Sequence, residues 1–252
     1  IPPDESGNFK MEKEALHIWP RGGYMLIALP NPDGSFTCTL FFPLKGELSF
    51  DTLSSPFKAR KFMNDIFPDA LSLMEDFDKQ WESNPTSSLV IIKCRPWNVK
   101  GKSMILGDAS HAIVPFYGQG MNSGFEDCRV FDEILEKSSD LNEAFDSFSN
   151  TRKPDADAIS DLAMHNFIEM RDHTGQPDFL LRKKIENRFS ELYPDKWIPL
   201  YSQVTFSHIP YSKALATGKK QEKIMEKIMA MPDIEKTWDS TKVYDNILKY
   251  LG

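Results

Sequence analysis

Residues 103–135 leave little freedom in what this chain can become. A short apolar run, Ser103-Met104-Ile105-Leu106, leads straight into Gly107-Asp108. After Pro115 come Gly118 and Gly120, then Met121, Phe125, Cys128, Phe131 and Leu135 with charged residues such as Glu126 and Asp127 between them. Steps of four, three, three and four residues describe an amphipathic helix, expected to pack on a sheet. A strand ending in Gly-Asp puts a carboxylate at the carboxyl edge of a sheet, where ligands of α/β folds bind, and glycine lets backbone approach a ligand closely. A short acidic side chain there suits sugar or polyol hydroxyls; taken alone, it would serve equally as a helix or turn cap. The glycines permit a tight turn, so the amides of Gly120, Met121 and Asn122 open the helix without intrahelical acceptors, at the positive end of its dipole. Such an end stabilises a phosphate, or the anionic N1–C2=O edge of a reduced flavin.

Upstream, residues 24–29 and 36–42 read as two strands joined at Asn31-Pro32-Asp33-Gly34, a hairpin. Met25, Ile27 and Leu29 share one face of the first strand, and the second carries apolar groups on both faces. From 54 to 81 the pattern turns helical with a break at Pro68. Residues 89–94 read as a strand, as do 103–106, and from 140 onward the chain is mostly helical, with segments expected at 141–152, 155–173, 178–193 and 219–230. Within the second of these Leu162, Asn166 and Met170 step by four along one face, so an amide is aimed inward and needs a partner, either a ligand or an internal carbonyl.

Composition excludes several classes. With 40% apolar residues, 18 Phe and 11 Met, the chain can bury a core, and no apolar run approaches the ~20 residues of a spanning helix. A net charge of −7 argues against nucleic-acid binding. Cys38, Cys94 and Cys128 are far apart without a Cys/His cluster, which points to a reducing compartment and no zinc site. His111 lacks a second ligand at metal spacing and reads as structural. The opening IPPDESGNFK has no Met and no apolar signal region, so we expect a fragment without a signal peptide.

The wording GDA-x-H-x-x-x-P…G-x-G-x-N before an acidic amphipathic helix resembles the second FAD motif of the aromatic hydroxylase flavoproteins. RGGYMLIALPNPDGSFTCTLFFP at 21–43, HAIVPFYGQGMNSGFEDC at 111–128 and AISDLAMHNFIEMRDH at 158–173 are similar to the kynurenine-hydroxylating branch of that family, and the likeness spans roughly residues 14–213. The family's N-terminal GxGxxG unit and the substrate-clamping Arg and Tyr of that half have no counterpart here, which implies the C-terminal part of a longer polypeptide.

The resemblance implies an α/β fold of the FAD-dependent aromatic hydroxylase (PHBH-like) type: a β-sheet substrate domain with helices at 1–97, the second half of the FAD-binding domain at 98–138, and a helical region at 139–252 capping the active site. It implies FAD, with NADPH and O₂ as co-substrates, and hydroxylation of L-kynurenine to 3-hydroxykynurenine in tryptophan degradation toward NAD. By the same resemblance no side chain is expected to be catalytic, a flavin C4a-hydroperoxide being the family's oxygen-transferring species. The cofactor residues implied are Gly107, Asp108, Pro115, Gly118, Gly120, Met121 and Asn122. Those implied for substrate are Leu16, Met25, Ile27, Leu29, Phe41, Phe116, Tyr117, Gln119, Asn166, Met170 and Tyr201. On pattern alone Met25, Ile27, Leu29 and Phe41 are ordinary core, and Tyr201 a packed tyrosine. The N-terminal half of the same protein is the implied partner. The helix at 219–231 either packs in the core or lies on a membrane surface, the cytosolic face of the outer mitochondrial membrane being the family's usual place and the cytoplasm the alternative. A hydroxylase of another aromatic or of a quinone precursor, and a flavin-fold interaction module without turnover, are the rival readings.

Overall fold

Alternating residues near the start of the chain build an antiparallel sheet of three strands, β1 (His17–Pro20), β2 (Met25–Pro30) and β3 (Phe36–Phe41), in the order β1-β2-β3. The computed structural model describes all 252 residues. The expected hairpin is β2–β3, with Met25 opposite Phe41 and Ile27 opposite Thr39. Its turn closes with Asn31 N–H donating to the Ser35 carbonyl at 2.8 Å and Asp33 accepting from the Ser35 N–H and hydroxyl. Gly34 sits at φ +86°, and a Cβ there would lie 2.8 Å from the Gly7 carbonyl oxygen, so only glycine fits. β1 escapes a pattern reading because all four of its residues are half-buried, which erases the alternation.

Helices α1 (Pro56–Ile66), α2 (Pro68–Leu71) and α3 (Phe77–Ser83) follow. Ser55 caps α1 by accepting from the Lys58 N–H, with Pro56 in the first turn where its missing N–H costs nothing. Pro68 ends α1 as expected. Leu26, Met63, Phe67 and Phe77 form a core with Tyr24, Phe42 and Phe62, where Tyr24 meets Phe42 edge-on at 5.1 Å. Ile1–Ser88 together with Glu169–Gly175 make up this first compact unit.

The second unit comprises Leu89–Ile168 and Gln176–Gly252. It holds residues 98–138 and, apart from 169–175, residues 139–252. The run 89–94, expected as a strand, is extended but unladdered: Ile92 N–H donates to the Ala112 carbonyl, while Leu89, Val90 and Ile91 stay exposed because no neighbouring strand is at hand. The strand at 103–106 shrinks to β5 (Ser103–Met104), paired antiparallel with β4 (Asn98–Val99). Two short helices and turns then lead into the long elements: α4 (Asp108–His111), a 3₁₀ turn at Pro115–Tyr117, α5 (Gly120–Leu135) and α6 (Leu141–Ile168).

α6 runs unbroken through Pro154, where a break between two helices is expected from sequence. Proline costs about 3 kcal/mol in a helix interior, but buried Phe148, Ala156 and Ile159 pack both flanks, and Asp155 is held by the Ser212 N–H at 2.9 Å. The expectation for α5 is corrected too: Met121 is 71% and Phe125 67% exposed, with Cys128 exposed as well, while Ser123 and Asp127 are buried. The apolar stripe has no sheet to cover it within this chain.

α7 (Pro177–Leu192), α8 (Leu200–Thr205), α9 (Tyr211–Met229), α10 (Ile234–Thr237) and α11 (Thr241–Leu251) complete the unit. Met225 and Ile228 of α9 are fully buried with Phe189, Trp197 and Ile247. The helix at 219–231 therefore spends its apolar face inside the protein, which removes it as a membrane-surface helix, and it starts earlier, at Tyr211. No helix is long and apolar enough to cross a membrane. Ile228→Ala is expected to cost about 2–5 kcal/mol of stability through the cavity it leaves. Chemical denaturation reads this out, and an unchanged midpoint would return that face to docking.

Candidate functional site

A fully buried carboxylate organises the motif. Asp127, two turns into α5, accepts from Arg152 Nε at 2.8 Å on one oxygen and, on the other, from the Gly107 N–H at 2.9 Å with His111 Nε2 at 2.5 Å. Burial by itself would raise the Asp127 pKa, but the bonds from His111, Arg152 and Gly107 outweigh it and hold the carboxyl below its ordinary value. Arg152, on α6 and also buried, reaches Glu126 at 3.1 Å. His111 is buried against the Trp97 ring and bonded to Asp127. Sequence reading places Asp127 among the polar residues of α5, since nothing in an amphipathic pattern separates an exposed acid from a buried one.

Around this hub the glycines take the conformations the motif requires. Gly107 lies at φ +58° and Gly118 at φ +64°, and nothing stands within 4 Å of where a Cβ would be at either. Asp108 opens α4 with an exposed carboxylate that caps no helix and makes no hydrogen bond in the chain, which disposes of the cap alternative. The first-turn amides of Gly120, Met121 and Asn122 lack intrahelical acceptors, and no side chain caps α5. Gly107, Asp108, Pro115, Gly118, Gly120, Met121 and Asn122 are all exposed or half-buried, whereas Ser110, His111, Ser123 and Asp127 lie buried behind them. Open glycines, an unengaged carboxylate and uncapped amides fit the polyol and the electron-rich pyrimidine edge of a flavin.

The loop between these groups is pinned from within. Asn166 Nδ2 donates to the Phe116 carbonyl at 2.7 Å, so the inward amide on α6 has an internal carbonyl as a partner. Gln119 is buried; its Nε2 donates to the Tyr117 carbonyl, and its oxygen accepts from the Tyr211 hydroxyl at 3.0 Å and from Asn122 Nδ2. Burial first, then the negative charge of Glu126, push the Tyr211 hydroxyl up to about 12, which keeps it a neutral donor. Tyr211 and Gln119's inward orientation are beyond sequence reading, because their partners are 92 residues apart. Phe116 stacks on Phe167 at 4.4 Å and Tyr117 on the half-exposed Tyr201 at 5.5 Å.

In the first unit, Met25 and Ile27 are buried, Phe41 is half-buried, and Leu29 and Leu16 are 47% and 40% exposed, so the face expected as a pocket wall is apolar and partly open. Met170 is buried in the π-helical segment Glu169–His173 that continues α6. Next to it Asp172 accepts from the Gly23 N–H at 3.1 Å and pairs with Arg171.

No family model matches the chain. Among curated proteins it is 49% identical over its whole length to a kynurenine 3-monooxygenase of Flavobacterium psychrophilum, covering 57% of that protein. It is 50% identical to one of Flavobacterium johnsoniae, covering 56%, and 43% identical to one of Dictyostelium discoideum, covering 58%. The chain thus spans a little over half the length of the curated relatives it matches.

Two outcomes follow from the geometry. Because the folded pKa of Asp127 is depressed below 3.8, its bonds stabilise the fold fully above that ordinary value and are lost as pH falls through the depressed one. Stability should decline below about pH 4, and Asp127→Asn should flatten that acid limb in melts across pH while costing about 1–3 kcal/mol at neutral pH, because the amide nitrogen meets the Gly107 N–H and Arg152 keeps only Glu126 as a close carboxylate. Asn166→Ala should lower the melting temperature by the equivalent of about 1–3 kcal/mol, since it leaves the Phe116 carbonyl without its donor; an unchanged melt would show that this bond holds nothing.

Proposed function

The chain is a homologue, over its whole length, of kynurenine 3-monooxygenases, and we propose that it forms the C-terminal part of an FAD- and NADPH-dependent monooxygenase that hydroxylates L-kynurenine to 3-hydroxykynurenine. The observation that carries this reading is end-to-end identity of about half the residues. The outward array from Gly107 to Asn122 supports the cofactor assignment.

Bound FAD, reduced by NADPH, supplies the electrons for activating O₂. The chain's own residues bind and orient it. The Asp108 carboxylate would accept hydrogen bonds from the ribityl hydroxyls, and Pro115 would border the ring system. The amides of Gly120, Met121 and Asn122, with the positive end of the α5 dipole, would hold the electron-rich pyrimidine edge and stabilise negative charge there. Tyr201 offers aromatic surface to the substrate ring, backed by the buried Phe116 and Tyr117, and Asn166 acts through the Phe116 backbone it holds. Such apolar surface excludes water, which protects a reactive oxygen-transfer step from unproductive decay.

The partner we assign is the remaining part of the same polypeptide. Met121, Phe125 and Cys128 form an exposed stripe along α5, and Leu89, Val90 and Ile91 are exposed with unpaired backbone, a combination that soluble proteins cover. The PHBH-like arrangement follows if that part supplies the sheet on which α5 lies.

Full-length protein carrying FAD should convert L-kynurenine, NADPH and O₂ to 3-hydroxykynurenine; NADPH oxidation stimulated only by another aromatic would reassign the substrate. Asp108→Ala should weaken FAD binding roughly ten- to a hundredfold, the loss of one charge-assisted hydrogen bond of about 1.5–3 kcal/mol, with near-normal turnover once FAD saturates. Unchanged affinity with lost turnover would make Asp108 catalytic.

A further inference from the structure

We propose that Asp127 is a positioning residue for the flavin: it holds the Gly107–Asp108 corner against α5, so that the ribityl-binding carboxylate and the α5 amides address one ligand. This rests on the flavin reading above and adds a residue behind the contact surface.

The Asp108 carboxylate makes no hydrogen bond within the chain, so its place is set by the backbone it hangs from. The residue before it, Gly107, has its N–H bonded to Asp127 Oδ2 at 2.9 Å. Three residues beyond, His111 meets the same oxygen, so both ends of α4 are tied to one atom. Arg152 Nε takes the other oxygen and fixes the carboxylate to α6. Asp127 stands seven residues after Gly120, about 10 Å along the same rigid helix whose first-turn amides face outward. Gly124, between them, faces the corner: a Cβ there would stand 4.0 Å from the Gly107 Cα, an ordinary contact distance. A single buried carboxylate thus sets the offset between the two cofactor-contacting groups.

Asparagine at 127 keeps the shape and breaks this arrangement. Its oxygen can still accept from Arg152 Nε, but its amide nitrogen then faces the Gly107 N–H, donor against donor. The corner should move, and Asp108 with it.

The experiment is a double-mutant cycle on full-length protein, with the FAD dissociation constant measured by flavin fluorescence quenching and the melt of the FAD-free protein recorded alongside. Asp127→Asn should raise the dissociation constant at least tenfold. In an Asp108→Ala background the same substitution should change it less than about threefold, because groups acting as one unit are not additive. Should Asp127→Asn fail to fold, His111→Gln, which leaves the bonds of Asp127 to Gly107 and Arg152 in place, should weaken FAD severalfold with the same coupling to Asp108. FAD affinity within twofold of wild type despite a lowered melt, or equal effects in both backgrounds, overturns the positioning role. Wild-type protein that binds no FAD overturns the flavin reading itself, and this inference with it.

Discussion

A carboxylate with no exposure to solvent is tolerable only when its lone pairs are taken and its charge is balanced, and Asp127 meets both conditions at once. Gly107, His111 and Arg152 take its oxygens, and the Arg152 guanidinium supplies the charge, leaning in turn on Glu126. Because those partners come from the corner before α4, from α4 itself and from α6, the arrangement of the site depends on this one group. Remove it and α5 keeps its helix but loses its registration with the glycine corner.

A second layer of bonds builds the loop between the two cofactor groups. Asn166 holds the Phe116 carbonyl, Gln119 holds that of Tyr117, and Tyr211 holds Gln119. These side chains face inward so that backbone and glycine can face outward, a division of labour that suits a ligand gripped mainly by main-chain amides. The Tyr117–Tyr201 stack then extends the aromatic surface to the edge of the unit.

The exposed apolar residues have a common cause. α5 carries an apolar stripe that wants a covering sheet, and the run at 89–94 is apolar on both faces, yet this chain leaves most of these residues exposed. The buried side of α5 packs on α6 through Phe131 and Phe148 at 5.4 Å, and nothing within the unit reaches the other.

Local physics made much of this legible. The β2–β3 hairpin, the Pro68 break, the glycine turn and the start of α5 follow from period-two alternation, ring geometry and positive-φ demand, all of which act over a few residues. α11 was equally open to such a reading, since Val243, Tyr244 and Ile247 make one apolar face of a short helix. What only tertiary structure decided were matters of partner and burial: that Pro154 stays inside α6, that 89–94 finds no ladder, and that α9 turns its apolar face to the core. Above all, sequence cannot distinguish Asp127 from the exposed acids beside it on α5. Every helix position looks alike until a second helix brings Arg152, and a corner 20 residues earlier brings Gly107, within reach of one carboxylate. Short-range preferences are written residue by residue, whereas the charge balance of a buried group exists only once distant segments have met.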